Sequence, residues 1–245
     1  MIGIVVVSHS ERLAEAAVAL ALEMVQGEKP PIAIAAGAGD GIIGTDATKV
    51  AAAIEEVGSP EGVLVIMDLG SALMSAEMAL EFLPDSSIPV KLTSAPFVEG
   101  LLAAIVRASG GATLEEVERE ARGALAAKSG QLGDEDEPTA AEPVAETATA
   151  PVSDGVSVEL ELINPTGLHT RPAAMVVASI AGLDAKVSVE NLRTSSAPVR
   201  ADSPIALLTL GTRTGDHIRV SATGADAEAA LSAITALVTD GFGEL

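Results

Sequence analysis

The chain has 245 residues, enough for one or two domains of ordinary size. Its 35 acidic residues against 14 Lys and Arg give a net charge of −21, which makes nucleic acid and anionic membranes unsuitable partners because both require a cationic surface. The chain has no Cys, which excludes disulfides and thiolate sites, and it has three histidines, His9, His169 and His217. Because the sequence shows neither a transmembrane stretch nor the features of a signal peptide, we expect a cytoplasmic protein.

The N-terminal part, residues 1–130, alternates strand and helix signals. Short apolar runs predict buried strands over residues 2–7, 32–36, 63–67 and 88–93. Segments rich in Ala and Leu predict helices over residues 11–26, 45–57 (with Thr45 or Asp46 as the N-cap), 71–82, 98–108 and 113–127. Repeated β-α units imply a doubly wound parallel sheet, an α/β fold that binds ligands beyond the carboxyl ends of its strands.

A change of composition separates this part from the rest of the chain. Residues 131–155 contain seven acids, no bases and three prolines, and they are predicted to be a flexible, self-repelling linker because they cannot bury enough apolar surface to offset their ordering entropy. Within residues 156–245, strands are predicted over 156–163, 187–192, 197–201 and 218–222, and helices over 170–181, 203–210 and 225–239. This order predicts an α+β domain with helices on one face of an antiparallel sheet.

Three polar residues are expected at the carboxyl edge of the first sheet. His9 follows the first strand, and Asp68 ends the third strand, which could neighbour the first. A carboxylate that accepts one imidazole N–H fixes the tautomer and leaves the other nitrogen free as a nucleophile. Ser71 and the N–H groups that open its helix are expected to hold an anion. The alternative for His9 is a structural histidine at a helix start.

His169 lies within the string NPTGLHTRPAA, at or just before a predicted helix N-terminus. Exposed N–H groups and the helix dipole favour an anion there, and Arg171 supplies a fixed cation suited to phosphate. A phosphate carried covalently on His169 would be stabilised by both features. The alternative is an ordinary residue beside a helix cap. His217 begins a strand after a turn and is interpreted as a surface histidine.

Other motifs of this sequence favour no further chemistry. The run from Gly39 to Gly44 has the GxGxxG spacing of dinucleotide sites, but it follows the second strand and Asp40 would lie beside the pyrophosphate. It is therefore predicted to be a loop over the His9 crevice. The sequence contains no GxSxG elbow, no Walker lysine motif and no paired-histidine metal motif, so we expect neither a serine nucleophile nor a P-loop ATP site nor a metal site.

The second domain carries a specific resemblance. The strings GLHTRPAA and NLRTSSAPVRADSPIALLTLG, with the closing helix, resemble HPr, the histidine phosphocarrier of the sugar phosphotransferase system, over residues 156–240. The resemblance implies an HPr-like open-faced sandwich in which His169 is phosphorylated, with Thr170 and Arg171 stabilising or orienting the phosphate. Ser203 matches a position that some bacteria phosphorylate for regulation, although different residues follow it here, Pro204 and Ile205.

The first domain resembles the mannose-type IIA family and, more closely, the DhaM family of phosphotransfer subunits of the phosphoenolpyruvate-dependent dihydroxyacetone kinase. The matching strings are IVVVSHSERLAE, GIIGTDATKV, VLVIMDLGSALMSAEMALE and APFVEGLLAA. The resemblance implies that His9 accepts a phosphoryl group and that Asp68 hydrogen-bonds its ring. Some members carry a further enzyme I-like domain, which this sequence is expected to lack.

Taken together, the two resemblances imply a phosphoryl relay. Enzyme I would phosphorylate His169, the group would pass to His9, and His9 would transfer it to ADP held on the DhaL subunit while DhaK binds dihydroxyacetone. The chain would then bind no cofactor of its own and would form a homodimer through its IIA domain. Two alternatives are a relay to a mannose-type IIB sugar-transporter domain and a regulatory module whose phosphorylation controls its interactions.

Overall fold

The computed structural model of this protein describes residues 1–25, 27–39, 41–84, 88–132, 155–194 and 196–245. They form two compact units, Met1–Leu125 and Ala126–Leu245, each of which has its own sheet. The predicted linker lies almost entirely outside the described residues, so the boundaries at 130 and 156 stay predictions. Over the described ranges, no helix combines the length and the apolar character needed to cross a bilayer.

The first unit has a four-stranded parallel sheet in the order β2-β1-β3-β4. Its strands are β1 (Gly3–Ser8), β2 (Ile32–Ala36), β3 (Val63–Met67) and β4 (Val90–Thr93). Its helices are α1 (Glu11–Leu22), α2 (Ala47–Val57), α3 (Gly70–Phe82), α4 (Phe97–Ser109) and α5 (Leu114–Arg122). The doubly wound α/β prediction is confirmed.

The central strand β1 contributes to two apolar layers. Ile4 and Val6 pack with α1, α4 and α5 on one face, whereas Val5 and Val7 pack with α2 and α3 on the other. All six residues of β1 are buried, as expected for a parallel strand covered on both faces. Because β1 pairs directly with β3, the residues that follow these two strands meet at the carboxyl edge of the sheet.

Two predicted helices end earlier than their patterns indicated. The helix predicted over 11–26 ends at Leu22, and the chain then tightens into single turns in which Met24 and Val25 donate to carbonyls three residues before them. The helix predicted over 113–127 ends at Arg122, because Gly123 terminates it. A separate helix, α6 (Ala126–Leu132), follows and belongs to the second unit.

The second unit has a four-stranded antiparallel sheet in the order β5-β8-β6-β7. Its strands are β5 (Val156–Glu161), β6 (Lys186–Asn191), β7 (Val199–Arg200) and β8 (His217–Thr223), and the helices after α6 are α7 (Thr170–Ile180), α8 (Pro204–Thr209) and α9 (Ala227–Thr239). Side chains along β6 and β8 alternate between buried and more exposed positions, because helices cover one face of the sheet only. This confirms the α+β prediction, including a short strand near 197–201.

A tight turn follows α9. Gly241–Gly243 form one turn of 3₁₀ helix, and all three residues have left-handed φ angles, of 59°, 56° and 70°. Phe242 is the one non-glycine residue with a positive φ in the described part of the chain, and its side chain is buried. A bulky residue in this region costs about 1–3 kcal/mol, which burial of the aromatic ring offsets. The turn reverses the chain and leads into Glu244.

Candidate functional site

The carboxyl ends of β1 and β3 bring His9 and Asp68 together. Val7 is in register with Met67, so the residues that follow each strand lie side by side. Nδ1 of His9 lies 2.9 Å from Oδ1 of Asp68, and the backbone N–H of His9 donates to Oδ2 at 2.8 Å. The pairing that the sequence analysis inferred from strand order is present in the structure.

The Asp68 carboxylate receives four hydrogen bonds. Besides the two from His9, the hydroxyl of Ser8 donates to Oδ2 at 2.9 Å and the N–H of Leu69 donates to Oδ1 at 2.8 Å. Burial raises the pKa of Asp68, but these hydrogen bonds outweigh burial and lower the pKa from its ordinary value of 3.8. Since the ionised carboxylate only accepts, the proton of the neutral ring resides on Nδ1 and the lone pair on Nε2.

The free nitrogen of His9 points to the start of α3. Nε2 lies 3.0 Å from the hydroxyl of Ser71, which donates to it when the proton is on Nδ1. Leu69, at the N-cap of α3, provides no capping hydrogen bond, whereas side chains cap three other helices of this unit: Ser10, Asp46 and Thr113. The first N–H groups of α3 are therefore available to an anion beside Nε2.

The glycine-rich loop after β2 contacts the His9 backbone. Ala38 donates to the carbonyl of Ile42, and the N–H of Gly44 donates to the carbonyl of His9 at 3.0 Å. This agrees with a loop beside the histidine rather than a dinucleotide site. Asp40, whose carboxylate would lie beside a bound pyrophosphate, is outside the described residues.

Asp68 is expected to stabilise the first unit in a pH-dependent way. Because its pKa is lower in the folded chain than the ordinary 3.8, the ionised carboxylate stabilises the fold above that pH, and this stabilisation is lost as the pH falls through the folded-state pKa. The difference in unfolding free energy between wild type and Asp68→Asn should therefore be largest near neutrality and shrink below about pH 4. Urea unfolding across this pH range measures the difference, and a difference that does not change with pH would contradict the prediction.

His169 is the N-cap residue of α7, as predicted. Its ring makes no capping hydrogen bond to the helix, and Nε2 lies 2.8 Å from Oε1 of Glu244. The imidazole is 40% exposed, and Nδ1 is the ring nitrogen that does not face Glu244. The Arg171 side chain is exposed and makes no ion pair with another described residue, which leaves its guanidinium free for a phosphate. Thr170 opens α7, and its orienting role stays a prediction.

The loop before His169 requires a glycine. The N–H of Leu168 donates to the hydroxyl of Thr212 at 2.8 Å, which holds the loop against the neighbouring segment. Gly167 has a φ of +69°, and a Cβ added to it would lie 2.7 Å from the carbonyl oxygen of Thr212. No side chain fits there without displacing the backbone on which His169 depends.

Gly167→Ala is expected to destabilise the second unit more than Gly182→Ala. Both glycines are left-handed, with φ of +69° and +78°, but a Cβ at Gly182 meets nothing within 4 Å. The control therefore carries only the backbone strain, whereas Gly167→Ala adds the clash with Thr212, which we expect to cost at least about 1 kcal/mol more. Chemical unfolding of both variants measures the difference, and equal losses would show that the loop accommodates a side chain.

The partner of His169, Glu244, was not predictable from the sequence. It lies 75 residues from His169 along the chain, and no local motif links the two. The turn at Gly241–Gly243 brings it back, and its other oxygen, Oε2, accepts from the amide of the buried Asn164 at 3.0 Å. The only signal in the sequence was the pair of glycines near the C-terminus, which permits a reversal but does not identify its target.

The remaining predicted residues lie elsewhere in the second unit. Ser203 is buried and caps α8, its hydroxyl accepting from the N–H of Ala206 at 3.0 Å, so a phosphate on Ser203 would displace the cap; its regulation stays a prediction. His217 is exposed at the start of β8, and its imidazole makes no hydrogen bond to the residues described. Within those same residues, no group of three or more acidic or histidine side chains could hold a metal ion.

The two folds and their histidines define a class of protein: a phosphotransferase-system (PTS) chain in which a IIA-type domain precedes an HPr-type domain. Residues 3–118 match the family model of the PTS system fructose IIA component, and residues 156–240 match that of the PTS HPr component phosphorylation site.

Relatives narrow this class. The chain is 44% identical over 247 residues to the phosphoryl donor subunit DhaM of the PEP-dependent dihydroxyacetone kinase of Pantoea ananatis. This alignment covers all of this chain and 51% of that protein. It is 41% identical over 109 residues to the DhaM subunit of PEP-dependent dihydroxyacetone kinase 2 of Listeria innocua. This alignment covers 44% of this chain and 86% of that protein. Among solved structures, HPr from Thermoanaerobacter tengcongensis is 34% identical in sequence. Its alignment covers 37% of this chain and 98% of the HPr chain, with a TM-score of 0.34.

The chain belongs to the DhaM family of phosphoryl donor subunits. It spans about half the length of the curated relatives that match it from end to end, including those of Pantoea ananatis and Escherichia coli.

Proposed function

We propose that the chain is a cytoplasmic phosphohistidine relay of a PEP-dependent dihydroxyacetone kinase. Enzyme I phosphorylates His169, the group passes to His9, and His9 transfers it to ADP held on a DhaL partner while DhaK binds the triose. The supporting observation is that each histidine has one ring nitrogen on a carboxylate and adjoins a helix without a side-chain cap. The chain itself holds phosphate only covalently and binds no nucleotide.

The two carboxylates select opposite ring nitrogens. Asp68 holds the proton on Nδ1 of His9 and leaves Nε2 nucleophilic, whereas Glu244 faces Nε2 of His169 and leaves Nδ1 free. The phosphoryl group therefore moves from Nδ1 of His169 to Nε2 of His9. This assignment follows from the partner of each ring and can be checked by distinguishing the two phosphohistidine isomers by NMR.

The transfer needs no proton movement. The lone pair on Nε2 of His9 forms the new N–P bond as the old bond breaks and its electrons return to Nδ1 of His169. Because each ring keeps the proton that faces its carboxylate, His169 leaves as a neutral imidazole. His9 becomes a phosphorylated imidazolium whose charge is balanced by Asp68. Phosphoryl transfer of this kind depends mainly on positioning and electrostatic support.

Few groups support the phosphate in either unit. On His169 it meets the guanidinium of Arg171 and the N-terminus of α7, and on His9 it meets the hydroxyl of Ser71 and the N-terminus of α3. The support is local at both histidines, consistent with a chain that carries a net charge of −21. A carrier must also release its phosphate, and modest stabilisation favours release.

The predicted linker, residues 131–155, has a role in this proposal. A flexible segment of its length reaches about 28 Å on average, and self-repulsion among its acids would extend it. Such a tether places the second histidine at roughly millimolar effective concentration around the first. Transfer between His169 and His9 would then be faster within one chain than between separate domains at cellular concentrations.

We also propose a homodimer formed through the first domain. Helix α3 exposes Met74, Met78 and Phe82, which lie four residues apart on one side of the helix and form an apolar strip that a second copy would bury. Light scattering of the whole chain measures the association.

Reconstitution tests the relay. The chain is combined with enzyme I, phosphoenolpyruvate, DhaK and DhaL, and formation of dihydroxyacetone phosphate is followed. We expect turnover that stops when His9 is replaced by Ala. A mannose-type IIB domain offered instead of DhaL should receive little phosphate. Transfer to the IIB domain without triose turnover would contradict the proposed acceptor, and phosphorylation-dependent binding of a partner without any turnover would indicate a regulatory module.

A further inference from the structure

We propose that Glu244 and Asn164 form a positioning pair that decides which nitrogen of His169 carries the phosphoryl group; the inference rests on the proposed function of His169. The amide nitrogen of Asn164 donates to Oε2 of Glu244 at 3.0 Å, and Oε1 of Glu244 lies 2.8 Å from Nε2 of His169. The three side chains form a single line of hydrogen bonds. The amide nitrogen of Asn164 at one end and Nε2 of His169 at the other both face the carboxylate of Glu244.

The orientation of Asn164 sets the direction of this line. Its amide nitrogen also donates to the carbonyl of Gly167 at 2.8 Å, so it faces two groups that only accept. The amide oxygen is buried and has no hydrogen-bond partner among the residues described. A buried acceptor without a partner is unfavourable. The fold tolerates this unpartnered oxygen because, in the same orientation, the amide nitrogen joins Glu244 to the loop that carries His169.

The turn after α9 holds Glu244 in place. Phe242 adopts its left-handed conformation with its side chain 1% exposed, and a Cβ added at Gly241 would contact the side chain of Leu245. The reversal is therefore strained at one residue and closely packed at another. Backbone strain of this kind persists where surrounding contacts impose it and is concentrated at functional positions. Here it directs Glu244 toward His169 and Asn164.

Glu244 acts through His169 in both halves of the carrier cycle. In the unphosphorylated ring, a carboxylate at Nε2 keeps the proton there and the lone pair on Nδ1, the nitrogen that must attack. In the phosphorylated ring, the same carboxylate keeps Nε2 protonated, so that the leaving group is neutral imidazole instead of an imidazolate anion. Glu244 is a positioning residue because it does not contact the phosphoryl group itself.

Glutamine at position 244 should reverse the tautomer. Asn164 needs an acceptor, so the oxygen of the new amide would face it and the amide nitrogen would face Nε2 of His169. The ring would then place its proton on Nδ1 and block the attacking nitrogen. Alanine removes the carboxylate but imposes no tautomer. Glu244→Gln should therefore be more damaging than Glu244→Ala, the opposite of what loss of packing would produce.

Two measurements on the full chain test this pair. Nitrogen-15 NMR of the unphosphorylated protein reads which ring nitrogen of His169 carries the proton; we expect Nε2 in wild type and Nδ1 in Glu244→Gln. Loading of His169 by enzyme I should fall on the order of 10-fold in Glu244→Ala and 100-fold or more in Glu244→Gln. Glu228→Gln, an exposed change on α9 that removes the same charge, should match wild type in both measurements.

Removing Asn164 should rescue the glutamine variant. With Asn164→Ala and Glu244→Gln combined, no donor constrains the new amide, so its oxygen can turn to His169 and restore the Nε2–H tautomer. An unchanged tautomer in Glu244→Gln, or slower loading in Glu244→Ala than in Glu244→Gln, would overturn the inference. If wild type itself fails to load at His169, the proposed function fails, whereas the NMR comparison still decides whether the pair controls the tautomer.

Discussion

The chain carrying His169→Ala is expected to acquire no phosphoryl group at His9 from enzyme I and phosphoenolpyruvate. The proposed relay places His169 before His9, and His169→Ala removes the nucleophile on which its first step depends. We expect loading of His9 to fall by at least about 10³-fold, the scale seen when a nucleophile of a covalent mechanism is removed. Rapid-quench labelling with peptide mapping under alkaline conditions, which preserve phosphohistidine, measures it.

The reciprocal variant gives the order of the relay. His9→Ala should load His169 at the wild-type rate and then stop, because its acceptor is missing. His217→Ala is the matched control, since that imidazole is exposed and has no hydrogen bond to the described residues. Full-rate loading of His9 in His169→Ala by enzyme I alone would show that the two carriers do not act in series.

Asp68→Asn should leave loading of His169 intact and reduce transfer to His9 on the order of 10³ to 10⁴-fold, as loss of the orienting carboxylate does in other histidine–carboxylate pairs. Each oxygen of Asp68 accepts from one backbone N–H, that of His9 or that of Leu69. An asparagine amide therefore opposes a backbone donor in either orientation. In one of them its NH₂ faces Nδ1, which moves the ring proton to Nε2 and removes the nucleophile.

Single-turnover transfer from phosphorylated His169 to His9 measures the loss. Asp46→Asn is the matched control in the same unit, because Asp46 caps α2 and asparagine caps helices equally well. Its transfer rate should match wild type. Transfer within a few-fold of wild type in Asp68→Asn would mean that the carboxylate does not govern the tautomer of His9.

Local sequence patterns predicted most of the fold. The apolar runs of β1 and β3 are long enough to require burial on both faces, which implies a parallel sheet covered by helices. The alternating pattern of β5 predicted a strand with one face exposed. Helix ends were predicted less well. Residues 113–127 were predicted to form one helix, because the apolar periodicity does not show that Gly123 ends it.

The sequence by itself identified the two candidate histidines and part of their surroundings. His9 follows the end of a strand and His169 directly precedes a helix, two positions that local patterns reveal, and Arg171 lies within the same string as His169. Asp68 could be inferred because the order of strands in a doubly wound sheet restricts which strand ends can meet.

Only the tertiary structure decided which ring nitrogen of each histidine faces a carboxylate and which is left for the proposed phosphoryl transfer. Sequence motifs name the histidine, but the tautomer depends on the group that faces the other nitrogen. For His169 that group is Glu244, which is brought across 75 residues by a left-handed turn and oriented by the buried amide of Asn164. Hydrogen bonds between such distant side chains depend on the packing of the whole unit, which no local periodicity encodes. The choice of ring nitrogen therefore follows from the fold, whereas the two candidate histidines could be recognised in the sequence.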